Sequence, residues 1–271
     1  HMMSTKHGKS IPQQIVLLFL AVITWYPLIF MVSTSLKTQN QFYENYWWFT
    51  YPFDFENYLV VWDRISIAIL NSIHYSFGTL VVVLILSLLG GYAFGRFKFY
   101  GKNILFLAVI MLLMIPGILT LVPLFVLTKN LGMANSSWGF IFPLAGFEIV
   151  IGIFIMRLFF ERLPTELFHA ARIEGANEIQ LLLFVAIPLA LPGLGTVAIL
   201  DLLFTWNELL WPLVLLSDQD AYPVSAAVIT FRNQYRVDNG NLFAAYVSVS
   251  IPLMILFIFV VRKFIRGIEG I

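Results

Sequence analysis

Six stretches of this chain are long and apolar enough to cross a bilayer, and that limits the fold before any other feature is considered. They run over about 15–32, 67–94, 104–128, 138–160, 185–216 and 242–264. At about 1.5 Å per helical residue, such runs reach across a hydrocarbon core about 30 Å thick. Backbone groups in lipid must find partners without water, and only a helix satisfies them within one segment. The runs are too long and too uniformly apolar for barrel strands. The chain therefore reads as an all-α membrane protein with six transmembrane helices in a single domain, 1–271. Composition agrees: 60% of residues are hydrophobic and 11% charged, against about 25% charged in soluble proteins. The first run is long, lacks a small-residue cleavage site and leads into Trp25-Tyr26-Pro27, so it reads as a retained span rather than a signal peptide. His1-Met2 ahead of Met3 reads as an expression remnant and carries no weight.

Charge placement orients the spans. With the N-terminus inside, the inner segments hold Lys6, Lys9, Arg96, Lys98, Lys102, Arg157, Arg162, Arg172, Arg262, Lys263 and Arg266, and the outer segments hold Lys37, Arg64, Lys129, Arg232 and Arg236. The bias predicts that both termini and the segment between spans four and five are cytoplasmic. A net charge of +1, with basic residues scattered between apolar blocks, offers no stripe for nucleic acid. The absence of Cys excludes disulfides, thiolate metal sites and thiol catalysis. Two outer connections are long. Residues 37–66 are aromatic and polar and read as lying near the headgroups. Residues 217–241 form a polar loop whose length favours a function over a plain linker.

The segment 164–186 is amphipathic and charged between two apolar blocks. Pro164 suits a first helical turn, and Glu166 favours the positive end of the helix dipole. Leu167, Ala170, Ala171 and Glu174 share a face, and two successive alanines let another protein approach the backbone closely. Gly175 breaks the helix or permits a left-handed turn. Asn177 with Gln180 three residues on caps a second helix that enters the fifth span. The expected product is a helix–turn–helix knob.

Charged residues inside spans are costly and face protein or water. Glu148, Asp201 and Glu208 are of this kind, and Asn207 and Glu208 sit between Trp206 and Trp211. Two readings stay open. The aromatics, amide and carboxylates line a path for a hydroxyl-rich solute; or the Trp residues belong to the interfacial belt and Asn207–Glu208 stabilise the span. His74 reads as a satisfied bundle residue.

Read as spacing, His169-Ala170-Ala171, Gly175 and Val185-x-Ile187-Pro188 resemble the Glu-Ala-Ala loop of ABC importer permeases. His169 stands where those proteins usually carry Glu. Trp206-Asn207-Glu208-Leu209-Leu210-Trp211-Pro212-Leu213 is similar to the fifth-span segment of maltose-type carbohydrate permeases. Phe264-Ile265-Arg266-Gly267-Ile268, Ser35-Leu36-Lys37 and Gly91–Arg96 also look like that family. The resemblance covers nearly the whole chain and fits the shorter of the two permease subunits. It implies a bacterial or archaeal membrane protein that pairs with a homologous permease, two ATP-binding subunits and an extracytoplasmic sugar-binding protein. It implies contact with the ATPase through Glu166, His169, Ala170, Ala171, Gly175, Ala176 and Pro188. It further implies that the 217–241 loop, through Asn233, Gln234 and Tyr235, reaches the binding protein. The implied substrate is a carbohydrate, an oligosaccharide first, with glycerol phosphate esters and polyols as alternatives.

No phosphate loop, HExxH or nucleophile constellation is present, so no catalytic residue and no metal ligand are assigned. No cofactor is expected on this chain, and ATP and Mg belong to the partner subunits. An ion-coupled secondary transporter is the competing class, disfavoured because the six spans show no paired inverted halves.

Overall fold

The structure, a computed structural model, describes residues 11–234 and 238–268. Its helices are α1 (Ile11–Ser35), α2 (Gln39–Glu44), α3 (Glu56–Arg96), α4 (Lys102–Met111), α5 (Gly117–Asn130), α6 (Ser137–Arg162), α7 (Thr165–Ile173), α8 (Glu178–Gln180), α9 (Ile187–Asn207), α10 (Leu210–Leu215), α11 (Val224–Gln234) and α12 (Asn239–Ile268). No strand occurs among the described residues. Among the described residues five helical stretches are long and apolar enough to cross a membrane, and the α4–α5 pair makes a sixth if its two bent pieces count as one. The chain divides into two compact units. One comprises the described residues up to Ile65 with those of Thr230–Ser250; the other is Ser66–Ile229 with those from Ile251 onward.

Four boundaries depart from the sequence reading. The second span is not 67–94 but a 41-residue helix, Glu56–Arg96, about 60 Å long at about 1.5 Å per residue. The Asp54 carboxylate accepts from the Glu56 amide at 2.9 Å and starts the helix among residues read as a surface connection. The third span, 104–128, is broken: α4 ends in a short 3₁₀ turn, and α5 leaves it at 99°. The cause is Pro116, which disfavours the α conformation at Ile115, found extended at ψ 113°. The fifth span, 185–216, starts earlier and stops at Asn207, where Glu208 turns extended. The outer loop 217–241 is no plain loop, because it contains the eleven-residue α11.

In the larger unit α3 and α6 pack along a seam of small residues. Gly152 faces Ser87, Gly91 faces Met156 and Gly95 faces Phe160. The constant offset makes the two helices parallel. A Cβ on Gly91 would approach the Arg157 backbone nitrogen to 3.0 Å, so the glycine is what lets the backbones meet. Parallel neighbours require residues 97–136 to return the chain to the starting end of the pair, and bent α4–α5 does this. α9 packs antiparallel on α6, with Gly152 against Val197 and Gly193 against Phe159. Their core gathers Val83, Tyr92, Ala145, Met156, Phe160, Phe168, Leu181, Ala190 and Val197.

In the smaller unit the end of α1 is tied to the start of α3. Asn57 Nδ2 donates to the Ser35 and Lys37 carbonyls at 3.0 and 2.9 Å, and the Ser35 and Tyr58 hydroxyls are 2.7 Å apart. Lys37, read as an outer-loop charge, is fully buried and donates Nζ to the Asn45 and Tyr46 carbonyls at 2.7 and 3.3 Å. Burial holds its pKa below the usual lysine value. Phe30 meets the edge of Phe243 at 5.6 Å, joining α1 to α12.

Candidate functional site

The knob between α6 and α9 is built by local rules. Leu163 turns extended after α6, and Pro164 leads into α7 with Glu166 in the first turn. α7 closes with paired bonds, Gly175 N–H to the Arg172 carbonyl and Ala176 N–H to the Ala171 carbonyl, both at 3.0 Å. This C-terminal cap needs a left-handed residue, and Gly175 supplies it at φ 91°. Asn177 and Gln180 then form a reciprocal box, Gln180 N–H to Asn177 Oδ1 at 2.9 Å and Asn177 N–H to Gln180 Oε1 at 2.8 Å. A π-helical stretch, Leu181–Ala186, carries the chain into α9, with Pro188 in its first turn.

One side of α7 is buried and the other bare. Phe168 is 1% exposed within the core, and Ala171 and Ala176 pack against the same cluster. Glu166, Leu167, His169, Ala170 and Glu174 are exposed, and Ile173 is 88% exposed. Ala171, grouped by spacing with the outward face, thus turns partly inward. An apolar residue as bare as Ile173 beside two compact positions suits a surface that another protein covers.

Two side chains of α3 hold the knob from outside it, and sequence spacing alone did not single out their contacts. The Arg96 guanidinium lies over the Phe168 ring, 3.8 Å from its centre, and donates Nη1 to the Phe160 and Leu163 carbonyls at 3.4 and 3.2 Å. Tyr92, one turn earlier on α3, donates its hydroxyl to Glu178 Oε2 at 3.2 Å. Glu178 Oε1 also pairs with Arg172 at 2.6 Å, a half-exposed pair worth little in itself. The readable hint was Phe168 itself, the sole aromatic in α7, facing an i,i+4 Tyr–Arg pair at the end of α3.

The residues proposed to line a path divide. Trp206 is 4% exposed and Trp211 2%, and the Trp211 indole N–H donates to the Gly139 carbonyl at 3.1 Å. Glu208 Oε1 accepts from the Trp211 amide at 2.9 Å, capping α10 across the break, and the Glu208 carbonyl accepts from Ser225 Oγ at 2.5 Å. Asn207 is exposed and donates to the Leu203 carbonyl at 2.7 Å. Asp201 on α9 is fully buried, its carboxylate oxygens without a hydrogen-bond partner, and half-buried Glu148 on α6 is close enough for their like charges to interact. Asn233 and Gln234 lie in α11, and Tyr235 lies outside the described residues. Among the described residues no group of three metal-ligating side chains occurs.

The family described as binding-protein-dependent transport system inner membrane component matches residues 87–270. A permease protein of an arabinooligosaccharides transport system from Halalkalibacterium halodurans is 32% identical, over 92% of this chain and 91% of its own length. A permease protein of a diacetylchitobiose uptake system from Streptomyces coelicolor is 29% identical, over 89% of this chain and 81% of its own. The crystal structure of a bacterial ABC transporter involved in the import of the acidic polysaccharide alginate contains a chain that superposes with a TM-score of 0.81 at 23% identity, covering 97% of this chain and all of that one. The last likeness speaks to the fold. The match over two thirds of the sequence, the multi-span helical architecture and the relatives together establish that this chain belongs to the inner membrane components of binding-protein-dependent transport systems, the permease subunits of ABC transporters.

Proposed function

We propose that this chain forms half of the translocation pathway of an ATP-driven carbohydrate importer, an oligosaccharide being the first candidate. It works with a homologous permease, two ATP-binding subunits and an extracytoplasmic sugar-binding protein. The observation that carries the reading is α7, pinned by Phe168 on one side and presenting Glu166, His169, Ala170 and Ile173 on the other. That bare face is the docking surface for an ATPase, which supplies ATP and Mg while this chain binds no cofactor. Closure of the ATPase pair then favours one arrangement of the spans through contacts made differently in the two states. The carbohydrate assignment draws support from the arabinooligosaccharide and diacetylchitobiose relatives. Both termini are read as cytoplasmic, a reading supported by the inward bias of Lys and Arg and by the parallel α3 and α6, which fit an even number of crossings.

Removal of 166–178 tests the docking assignment. The shortened chain should reach the membrane with its spans intact and no longer co-purify with its ATP-binding subunits; undiminished co-purification would overturn the docking surface. Uptake of labelled arabinooligosaccharides into proteoliposomes holding the complete complex should require ATP and be indifferent to ion gradients. Uptake driven by an ion gradient through this chain alone would return the case to a secondary transporter.

A further inference from the structure

The first half of α3 has its own set of bonds, about 15 to 19 residues in from Glu56. Asn71 Nδ2 donates to the Asp220 and Tyr222 carbonyls at 2.7 and 3.1 Å. The Tyr75 hydroxyl donates to the Ala221 carbonyl at 3.0 Å, while its ring stacks on Phe140 at 4.2 Å. Ser72 Oγ accepts from the Val224 amide, the first residue of α11, at 2.9 Å. Three side chains within five residues thus hold three consecutive carbonyls and a helix-starting amide of the 220–224 segment. These contacts leave the connection before α11 little freedom to move independently of α3.

At the opposite end the same helix grips the knob through Tyr92 and Arg96. Between Asn71 and Arg96 the helix is uninterrupted and contains no proline, so about 37 Å of rod at about 1.5 Å per residue separates the two sets of contacts. Ser87, Gly91 and Gly95 lay that rod closely against α6. Without proline or a π-bulge in this stretch, two common causes of a hinge are missing, and a displacement at one end is passed along the helix.

We propose that Arg96 is a positioning residue for energy coupling, clamping the docking knob to α3, and that α3 carries the knob's displacement to the 218–224 segment on the opposite face of the membrane. The route between the two faces then runs along one helix, in addition to the covalent joints of the knob to α6 and α9. Arg96 is suited to the part because a planar guanidinium stacks on an aromatic face and bonds two carbonyls at once, which an ammonium does less well. Coupling is reciprocal in binding free energy, so what engages the outer segment biases the knob equally. This inference rests on the docking role proposed above.

The test uses the complete complex in proteoliposomes and exploits the absence of native Cys. Asp220→Cys is the reporter, read as the rate of labelling by a charged maleimide with and without Mg-ATP plus vanadate. Nucleotide should change the rate about fivefold or more, the low end of ordinary coupling. Arg96→Met should abolish most of that change while the ATP-binding subunits still co-purify, because the docking face itself is untouched; Arg96→Lys should fall between. Tyr75→Phe, which keeps the ring and removes one bond, should weaken the change from the other end. The Arg96→Met and Tyr75→Phe effects should be less than multiplicative in combination, although sites so far apart without a shared partner ordinarily act independently. A multiplicative double variant, an undiminished response in Arg96→Met, or no response in the parent complex with its ATPases attached would overturn the route along α3. Failure of the parent chain to retain ATP-binding subunits would instead overturn the docking role, and this inference with it.

Discussion

Phe168→Ala should detach the knob without unfolding the spans. Phe168 is 1% exposed, and truncating a buried Phe to Ala costs about 3–5 kcal/mol. The Arg96 guanidinium over the ring adds about 0.5–2 kcal/mol. At about 1.4 kcal/mol per tenfold, the local opening equilibrium of α7 should rise by at least about three-hundredfold and up to about a hundred-thousandfold. α7 is nine residues long and too short to hold together alone, so its amides should exchange almost as in an unfolded peptide. Hydrogen–deuterium exchange of the membrane-embedded protein reads this directly. Amides 169–173 should lose protection, while those of 82–95 and 149–158 keep theirs. Ile173→Ala serves as the control: at 88% exposed, its loss should alter stability by no more than about 0.5 kcal/mol. Protection of α7 unchanged to within tenfold, or equal loss along α3 and α6, would refute the view that this ring pins the knob and leaves the spans to their own packing.

Gly91→Ala should lower thermal stability by about 1–3 kcal/mol, since its Cβ would press on Met156 and the α6 backbone; Gly146→Ala, with nothing within 4 Å, should leave melting unchanged or raised. Gly175→Val should cost about 1–2 kcal/mol from the left-handed backbone, because no neighbour crowds the site. Transport should fall with membrane insertion normal, and normal transport would show the turn is dispensable; Gly175→Asn should be tolerated better. Lys37, whose folded pKa is lowered by burial, binds its proton less readily folded than unfolded. Stability of the parent chain should therefore rise with pH between that lowered value and the ordinary 10.5 and stay flat below it, and Lys37→Met should erase the rise in pH-dependent melting.

Local chemistry made parts of the knob readable in advance. The Asn177–Gln180 box and the left-handed Gly175 are decided by a handful of neighbouring residues, and both form as their spacing implies. Pro116 carried an equally local signal, yet the apolar run around it hid the 99° bend. The early start of α3 was obscured because 56–66 mixes charge and aromatics, which periodicity reads as surface. Arg96 over Phe168 and the Trp211 indole on the Gly139 carbonyl join positions 72 residues apart in each case. Such pairs depend on the register between helices, which no window of sequence contains. Trp211 shows the cost most plainly: an aromatic beside a carboxylate invites a solute-binding reading, and only packing reveals an indole committed to a backbone carbonyl.

The π-helical stretch Leu181–Ala186 sets the azimuth of everything after it. A π turn holds more residues than an α turn, so each of those six residues advances the chain around the axis by a smaller angle. α9 itself is apolar nearly all round, from Ile187 to Trp206, and carries little pattern of its own to choose which side faces inward. The dial is set upstream, where the wider winding leaves Asp201, Thr205 and Trp206 on the enclosed side. Wound as plain α over the same six residues, an unchanged α9 would turn a different set of side chains toward α6.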